Sequence, residues 1–246
     1  MNRFFIVKEC IEGQQVTING GLVHQIRNVL RLKVDDKIVV LDNSGSEFYT
    51  TITSISKDSV EGTITSKTVT NSEPRTRITL YQAILKKTRF EYVLQKCTEI
   101  GVTSIVPIIC DRCVAKWDEG KVERWQDIIR EAAEQSRRGV LPELHSALSF
   151  KDACKQSNAD SDLSLLAWED EDETGIRDLL TKTPFAHDQS VSVFIGPVGG
   201  FSPSEIDLAQ SSGIKLFSMG KRILRAETAG LVAASVILYE SGDLGG

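Results

Sequence analysis

The apolar residues of this chain change their spacing at a polar, turn-rich segment, Thr68–Pro74. Before this segment, short β-branched runs are separated by glycine, asparagine and aspartate, a pattern typical of a small β-barrel. After it, continuous apolar runs alternate with stretches in which apolar residues recur every three or four positions. That alternation is typical of an α/β domain with a mostly parallel sheet. The sequence therefore predicts two domains, residues 1–70 and residues 74–246.

The type of many segments in both domains can be predicted from this spacing. The first domain has predicted strands at Val16–Ile18, Lys37–Leu41, Glu47–Thr53 and Glu61–Thr65, and a predicted helix at His24–Leu30. The second has predicted strands at Arg77–Leu85, Thr103–Ile109, Leu163–Ala167, Val191–Ile195 and Ile214–Ser218, and predicted helices at Phe90–Ile100, Val122–Arg137 and Ala226–Tyr239. A further helix is predicted to begin at Ser202, because Ser202 to Glu205 has the form of a capping box with proline in the first turn.

The composition excludes several classes of protein. No stretch approaches the roughly 18 consecutive apolar residues that span a bilayer, and Arg3 and Lys8 interrupt the apolar run at the N-terminus, unlike a secretory signal. We therefore expect a cytoplasmic protein without a membrane segment. The five cysteines are scattered, and we interpret the close pair Cys110 and Cys113 as reduced thiols at a strand end. None of His24, His145 and His187 lies near a second cysteine pair, so we assign no metal.

The net charge of −5 argues at first against a nucleic-acid partner, because phosphate binding needs cationic surface. The charge is unevenly distributed, however. Residues 1–72 are neutral, residues 73–150 carry a net charge of +2 and residues 151–246 a net charge of −7. Much of the acid lies in the run Glu169–Glu173, which we interpret as a solvated loop. Basic clusters must therefore be judged locally.

Two loops between a predicted strand and a predicted helix carry glycine. Residues 195–203 place Gly196, Gly199 and Gly200 between an apolar strand and the capping box, and residues 216–228 place Gly220 beside Lys221, Arg222 and Arg225. Glycine lets backbone approach a ligand closely, and open α/β sheets bind ligands at the carboxyl ends of their strands. The loops are thus expected to enclose an uncharged or zwitterionic nucleoside-like ligand, beside cations that suit a polyanionic substrate. The plain alternative is two tight turns with surface charges.

Further basic residues are candidates for phosphate contacts. His24, Arg27 and Arg31 have the spacing i, i+3 and i+7, which places them on one side of a short helix. The complete set of RNA-binding candidates is Arg3, His24, Arg27, Arg31, Lys33, Lys86, Arg89, Arg112, Arg137, Arg138 and Arg222. Arginine on a helix surface is usually only solvated, so each of these residues has that alternative.

Five ordered motifs resemble one known family. HQIRNVLRLKVDD, LYQAILKKTRFEYVLQKCTEIGVTSIVPI, RWQDIIREAAEQSRR, FIGPVGGFSPSEI and MGKRILRAETA are similar to the RsmE family, the 16S ribosomal RNA uridine N3-methyltransferases of the SPOUT superfamily. The resemblance covers almost the whole chain. It implies a PUA-like β-barrel for RNA, a SPOUT-type α/β domain with a trefoil knot, and a homodimer that acts on 16S rRNA or the small ribosomal subunit. It also implies that S-adenosylmethionine is held by the two glycine loops.

The resemblance assigns roles to particular residues. The implied cofactor contacts are Leu166, Ile195, Gly196, Pro197, Gly199, Gly200, Met219, Gly220, Ile223, Leu224, Ala226 and Thr228. Arg225 is the candidate catalytic residue, because guanidinium can stabilise charge on the uracil oxygens and stays protonated. The family loop usually reads GPEGG, whereas Val198 stands in the position of that glutamate. If the glutamate supports the loop, this chain lacks that support; if the position faces outward, little changes.

Two rival functions remain open at this point. A non-catalytic RNA-binding ribosome-assembly factor with the same fold is the main alternative, and Val198 is the feature that favours it. A SPOUT enzyme acting on a different RNA nucleotide is the other. No general base is identified, because the acidic Glu227 is equally explained by its position in the first turn of a helix.

Overall fold

The computed structural model describes residues 1–182 and 189–245. The chain divides into two compact units. Met1–Glu73 and Ala133–Leu141 form the first unit, and Pro74–Ala132 and Pro142–Gly246 form the second. Nothing in the hydrophobic pattern indicates that Ala133–Leu141 packs with the first unit, because its first residues continue a helix that begins at Val122.

The first unit is built on a six-stranded sheet. Its strands are β1 (Asn2–Phe5), β2 (Ile11–Glu12), β3 (Gln15–Asn19), β4 (Lys37–Leu41), β5 (Ser46–Ile55) and β6 (Ser59–Val69). Their order is β1-β4-β5-β6-β3-β2; β1 and β4 are parallel and the other pairs are antiparallel. In β3, Val16 and Ile18 are buried whereas their neighbours are exposed. This period of two explains why the sequence predicts the strand.

The predicted helix at His24–Leu30 differs in its bounds and geometry. Helix α1 (Gly21–His24) continues as a wider π-type turn over Gln25–Val29, and Ile26 packs into the core. The helical segment ends before Arg31, whose φ of 54° lies in the left-handed region. The predicted side-by-side placement of His24, Arg27 and Arg31 on one helix is therefore wrong for Arg31, although all three side chains are exposed.

Hydrogen bonds hold Ala133–Leu141 to the remainder of the first unit. The backbone N–H of Phe5 donates to Oε1 of Glu134 at 2.9 Å, and that of Leu141 donates to Oδ1 of Asn43 at 2.6 Å. The guanidinium of Arg138 is only 3% exposed and donates twice to Glu73, at 2.8 and 3.2 Å. Glu73 also accepts the N–H groups of residues 139 and 140. Such a buried pair is well stabilised only when its oxygens are satisfied in this way.

The second unit contains a parallel sheet, as predicted. Its strands are β7 (Arg77–Ala83), β8 (Ser104–Ile109), β9 (Glu143–Leu144), β10 (Leu148–Ser149), β11 (Leu163–Ala167), β12 (Ser190–Ile195) and β13 (Lys215–Phe217). The order is β10-β8-β7-β12-β11-β13, with β9 also paired to β8, and every pair is parallel. Its helices are α2 (Thr88–Ile100), α3 (Val122–Gln135), α4 (Phe150–Asp160), α5 (Ile176–Lys182), α6 (Pro203–Ser211) and α7 (Ala226–Glu240).

Both faces of this sheet are covered, which explains its continuous apolar strands. On one face, Leu80 of β7 and Val193 of β12 pack with residues of α2 and α7. On the other face, Tyr81 and Phe194 pack with residues of α4 and α6. The rings of Tyr81 and Phe194 are stacked with their centroids 4.4 Å apart. Neither α4 nor α5 is among the predicted helices, although each carries apolar residues spaced three and four positions apart: Phe150, Ala153 and Cys154 in α4, and Ile176, Leu179 and Leu180 in α5.

Helix α7 is apolar around most of its circumference and packs closely on the sheet. A Cβ at Gly230 would lie 3.1 Å from Oε1 of Gln82 and 3.3 Å from Leu80, so glycine allows the helix axis to approach β7.

The trefoil knot implied by the resemblance stays a prediction. Within the described ranges, no helix has the length and apolar character needed to cross a membrane.

Asp243, which follows α7, accepts hydrogen bonds from the segment that leads into β7. Its carboxylate accepts the backbone N–H of Thr76 at 2.9 Å and that of Arg75 at 3.2 Å, and it pairs with the Arg75 guanidinium at 3.3 Å. Burial alone would raise the pKa of Asp243, but the hydrogen bonds from Thr76 and Arg75 outweigh it and hold the pKa at about 2. The ionised carboxylate therefore stabilises the folded state at neutral pH.

We expect Asp243→Asn to lower the free energy of unfolding at pH 7 by about 1–2 kcal/mol. Because the folded pKa is depressed, this stabilisation is present above the ordinary aspartate pKa and is lost as the pH falls toward 2. Urea unfolding of wild type and variant from pH 7 down to about pH 3 measures the difference. Asp207→Asn, on the exposed side of α6, is the control. An equal difference at pH 7 and pH 3 would contradict this role.

Candidate functional site

A cavity of about 830 Å³ lies at the carboxyl ends of the parallel strands of the second unit. Three loops form most of its wall, and each follows a neighbouring strand: residues 167–175 after β11, residues 195–201 after β12 and residues 218–225 after β13. Arg89 of α2 and the first turn of α7 complete the wall. The cavity is thus where ligands bind in open α/β sheets, and its volume suits a small organic ligand.

The loop after β12 requires glycine at two positions. Gly200 has a φ of 70°, and a Cβ there would lie 2.9 Å from Oε1 of Glu169. A Cβ at Gly196 would lie 3.0 Å from the ring of Phe201. Arg112 fixes the same loop from outside, since its Nη1 donates to the carbonyl of Gly199 at 2.9 Å. The loop is therefore narrow, and its backbone forms part of the cavity wall.

The buried carboxylate of Glu205 fixes the end of this loop. Oε2 accepts the backbone N–H of Ser202 at 2.8 Å, and the Ser202 hydroxyl accepts the N–H of Glu205 at 3.3 Å. This is the predicted capping box, and it is confirmed. Oε1 of Glu205 also accepts the N–H of Asp111 at 2.9 Å, while the Ser202 hydroxyl donates to the Asp111 carboxylate at 2.6 Å. The loops after β8 and β12 are thereby joined.

The loop after β13 turns at Gly220, which has a φ of 94° and no atom within 4 Å of the place where a Cβ would stand. Its N–H donates to the hydroxyl of Ser218 at 3.3 Å. Ser218 in turn pairs with the loop after β11: its N–H donates to the carbonyl of Thr174 at 2.9 Å, and its carbonyl accepts the N–H of Ile176 at 3.0 Å. The loops after β11 and β13 are therefore joined by backbone hydrogen bonds.

Arg225 and Glu227 lie where the loop after β13 enters α7. Arg225 is the N-terminal flanking residue of α7, and its exposed side chain lies on the cavity wall. Glu227 is in the first turn, and Nε of Arg89 lies 3.6 Å from its Oε1. The other oxygen, Oε2, is buried and has no hydrogen-bond partner in the part of the chain that the structure describes.

Most of the predicted cofactor residues surround the cavity. Nine of them line it: Ile195, Gly196, Pro197, Gly200, Met219, Gly220, Ile223, Leu224 and Ala226. Three do not: Leu166, Gly199 and Thr228. Leu166 is fully buried in the core with Phe194, because the alternation of β11 turns it into the sheet packing. Gly199 instead presents its carbonyl to Arg112.

The acidic run, which the sequence predicts to be a solvated loop, is exposed at residues 169, 170, 172 and 173, and part of it also lies on the cavity wall. Glu169, Glu171, Asp172 and Glu173 line the cavity together with Trp168. The signal that could have found them is their position directly after the apolar strand β11, since all parallel strands end at the same edge of the sheet.

The predicted RNA-binding side chains have different environments. Those of His24, Arg27, Arg31, Lys33, Lys86, Arg89, Arg112, Arg137 and Arg222 are exposed. The prediction that Arg138 faces solvent and binds RNA is wrong, because its guanidinium is buried against Glu73 and stabilises the first unit. Arg3 is 9% exposed and donates to Glu47 at 2.8 Å. Arg3 and Arg137 line a second cavity, of about 340 Å³, within the first unit.

The CxxC cysteines lie at the end of β8. The N–H of Cys110 donates to Sγ of Cys113 at 3.3 Å. Hydrogen bonding from Cys110 lowers the pKa of Cys113 to about 7, while the pKa of Cys110 is raised by its bond to Cys113 and by burial. No group of three potential metal-ligating side chains occurs among residues 1–182 and 189–245. His187 lies outside the described residues.

Val198, which stands where the family glutamate would be, is 69% exposed on the cavity wall. The bonds that hold the loop come from Arg112 and Glu205 and do not involve the Val198 side chain.

Comparison with known proteins agrees with this architecture. Residues 71–238 match the family model described as an RNA methyltransferase domain, and residues 18–65 match the RNA methyltransferase PUA domain. The fold and the site thus define an RNA methyltransferase with a PUA domain.

Two relatives and one solved structure indicate which family of RNA methyltransferases the chain resembles. The ribosomal RNA small subunit methyltransferase E of Bacillus subtilis is 32% identical over 100% of this chain and 99% of its own length. That of Mesomycoplasma hyopneumoniae is 34% identical over 94% of this chain and 96% of its own. A crystal structure of the Neisseria gonorrhoeae protein bound to S-adenosylmethionine has a TM-score of 0.87 at 29% identity and covers 97% of both chains. The chain belongs to the ribosomal RNA small subunit methyltransferase E family.

Proposed function

We propose that this protein transfers the methyl group of S-adenosylmethionine to N3 of a uridine in 16S ribosomal RNA. The observation that carries the proposal is the cavity enclosed by two glycine-containing loops at the ends of β12 and β13. It occurs in a chain whose relatives are named ribosomal RNA small subunit methyltransferase E, one of them crystallised with S-adenosylmethionine. The rRNA is the free 16S molecule or the small subunit, and the site of action is the cytoplasm.

The cavity fits this cofactor in size and in chemistry. Apolar side chains such as Ile195, Met219 and Leu224 offer surface for an adenine ring, while the loop backbone around Gly220 offers N–H and carbonyl groups. S-adenosylmethionine supplies a methyl group on a positively charged sulfur. The acidic residues Glu169, Glu171, Asp172 and Glu173 on the wall complement that positive charge.

Arg225 is the catalytic residue of the proposal. As the N3 proton of uracil leaves, negative charge spreads onto the ring oxygens, and a guanidinium on the cavity wall stabilises it. The ion pair of Glu227 is made with Arg89, so Glu227 does not need Arg225 as a structural partner. Most of the remaining catalysis comes from holding N3 in line with the methyl group.

The exposed cations of the first unit are proposed to bind RNA phosphates. His24, Arg27, Arg31 and Lys33 follow one another in and just after the helical segment of that unit. Cations contribute sequence-independent affinity and position the RNA without reading its bases.

We also propose that the protein is a homodimer joined through α7. Along this helix Val232 is half-buried, Val236 packs at the edge of the core, and Tyr239 is 64% exposed. Their spacing of three or four residues forms one stripe along the helix. An apolar stripe of this kind favours burial against a second copy of the same helix.

Mass spectrometry of 16S rRNA from a strain lacking this protein tests the proposed function. We expect one 3-methyluridine to disappear and to return when purified protein and S-adenosylmethionine are added to the isolated RNA or small subunit. If 3-methyluridine remains at full stoichiometry in the deletion strain, the proposed substrate is wrong. Binding of S-adenosylmethionine without methylation would favour the non-catalytic assembly factor.

Gly220→Val is expected to weaken S-adenosylmethionine binding at least about 100-fold, because a branched side chain would occupy the wall where backbone meets ligand. Calorimetric titration measures the effect. Gly213→Val is the matched control: Gly213 has a φ of 81° and no neighbour within 4 Å, but it lies outside the cavity. If both variants bind the cofactor equally well, the cofactor does not contact Gly220.

Arg225→Ala is expected to lower single-turnover methylation by about 10²–10³-fold at saturating RNA and cofactor, the usual effect of losing one such donor. Arg225→Lys restores only part of the rate, since a point charge does not reproduce the planar guanidinium. Arg124→Ala removes an arginine paired to Glu91 outside the cavity and serves as the control. A rate for Arg225→Ala within a fewfold of wild type would show that Arg225 is not a catalytic residue.

A further inference from the structure

One carboxylate oxygen on the cavity wall has no partner to satisfy it. Oε2 of Glu227 is buried and lacks a hydrogen-bond partner in the described part of the chain. The Glu227 side chain is only 13% exposed, and the cation nearest to it, Arg89, lies on the side of Oε1. A buried polar atom without a partner is costly, and native proteins keep such atoms chiefly where a ligand or a reaction uses them.

The other acidic side chains of the wall differ from Glu227. Glu169, Asp172, Glu173 and, from α5, Asp178 are exposed and therefore hydrated. Oε1 of Glu171 accepts the backbone N–H groups of residues 173 and 174, which ties it to its own loop. Glu227 is thus the acidic side chain of the described wall that is both shielded from water and incompletely bonded.

The surroundings of Glu227 suit the acceptance of a proton from a ligand. Arg89 approaches Oε1 at 3.6 Å and so orients the carboxylate, leaving Oε2 for another donor. Arg225 precedes Glu227 by two residues and lies on the same wall. A proton acceptor beside a guanidinium is the combination needed to remove a proton from a nitrogen whose charge then spreads to neighbouring oxygens.

We propose that Glu227 is the general base, and that its carboxylate takes the N3 proton of the target uracil; this rests on the function proposed above. As the N3–H bond breaks, its proton passes to the Glu227 carboxylate. The electron pair left on N3 forms the new bond to the methyl carbon, and the electrons of the sulfur–methyl bond return to sulfur, which becomes a neutral thioether. Arg225 stabilises the charge on the uracil oxygens, and the proton leaves Glu227 for solvent afterwards.

Glu227→Gln tests the proposal, because the amide preserves shape but does not accept the proton. We expect single-turnover methylation at saturating RNA and cofactor to fall about 10²–10³-fold, with S-adenosylmethionine affinity within about threefold of wild type. Glu227→Asp keeps the carboxylate but holds it on a shorter side chain, further from the substrate, and should give an intermediate rate. Glu91→Gln is the matched control: Glu91 is a half-buried glutamate paired to Arg124 outside the cavity. Circular dichroism verifies that all variants are folded.

A second readout separates a base from a merely structural carboxylate. Small-subunit RNA transcribed with 5-fluorouridine carries a more acidic N3–H, because fluorine withdraws electrons, and depends less on a base. The deficit of Glu227→Gln should therefore shrink at least about tenfold on this RNA. An equal deficit on both RNAs, an unchanged rate, or a loss of cofactor affinity as large as the loss of rate would each overturn the proposal. Wild-type protein that forms no 3-methyluridine would instead overturn the proposed function.

Discussion

The geometry of the site depends on the buried carboxylate of Glu205. One oxygen caps α6 through the N–H of Ser202, and the other holds the N–H of Asp111 in the loop after β8. A charged acceptor that satisfies backbone donors at a helix start is stabilised by those donors and by the helix dipole. Because the glycine loop lies directly before this cap, its narrow path is determined at one end by β12 and at the other by Glu205. Arg112 then secures the middle of the loop through the carbonyl of Gly199.

The parts of the fold that depend on neighbours in sequence were predictable. The apolar strands β7 and β12, the capping box at Ser202 and the glycine loop before it all rest on spacing or on local bonds, and the structure confirms them. One further region required knowledge of distant contacts. Ala133–Leu141 joins the first unit through bonds such as that between Phe5 and Glu134, 129 residues apart. No local pattern distinguishes the first of these residues, Ala133–Gln135, from the remainder of α3.

The candidate site was predictable to a similar degree. Glycines such as Gly200 and Gly220 are visible because only a few residue types tolerate a positive φ, so their function leaves a mark in the sequence. Charged residues carry no comparable signal of their role in the sequence. Arg138 proved to be a buried partner of Glu73, whereas four of the five acidic residues at positions 169–173 contribute to the cavity wall. The same residue types serve in solvent, in the core and in a site, and only the tertiary environment separates these uses.

The cavity wall is assembled from α2, α7 and the loops that follow β11, β12 and β13, which are far apart along the chain. A ligand that touches all of them binds the folded second unit and has little affinity for the unfolded chain. At a free concentration of about 100 times the Kd, such a ligand adds about 2.7 kcal/mol to the free energy of unfolding. With the proposed methyl donor as that ligand, the resistance of this unit to thermal unfolding and to proteolysis is expected to rise with the donor's concentration.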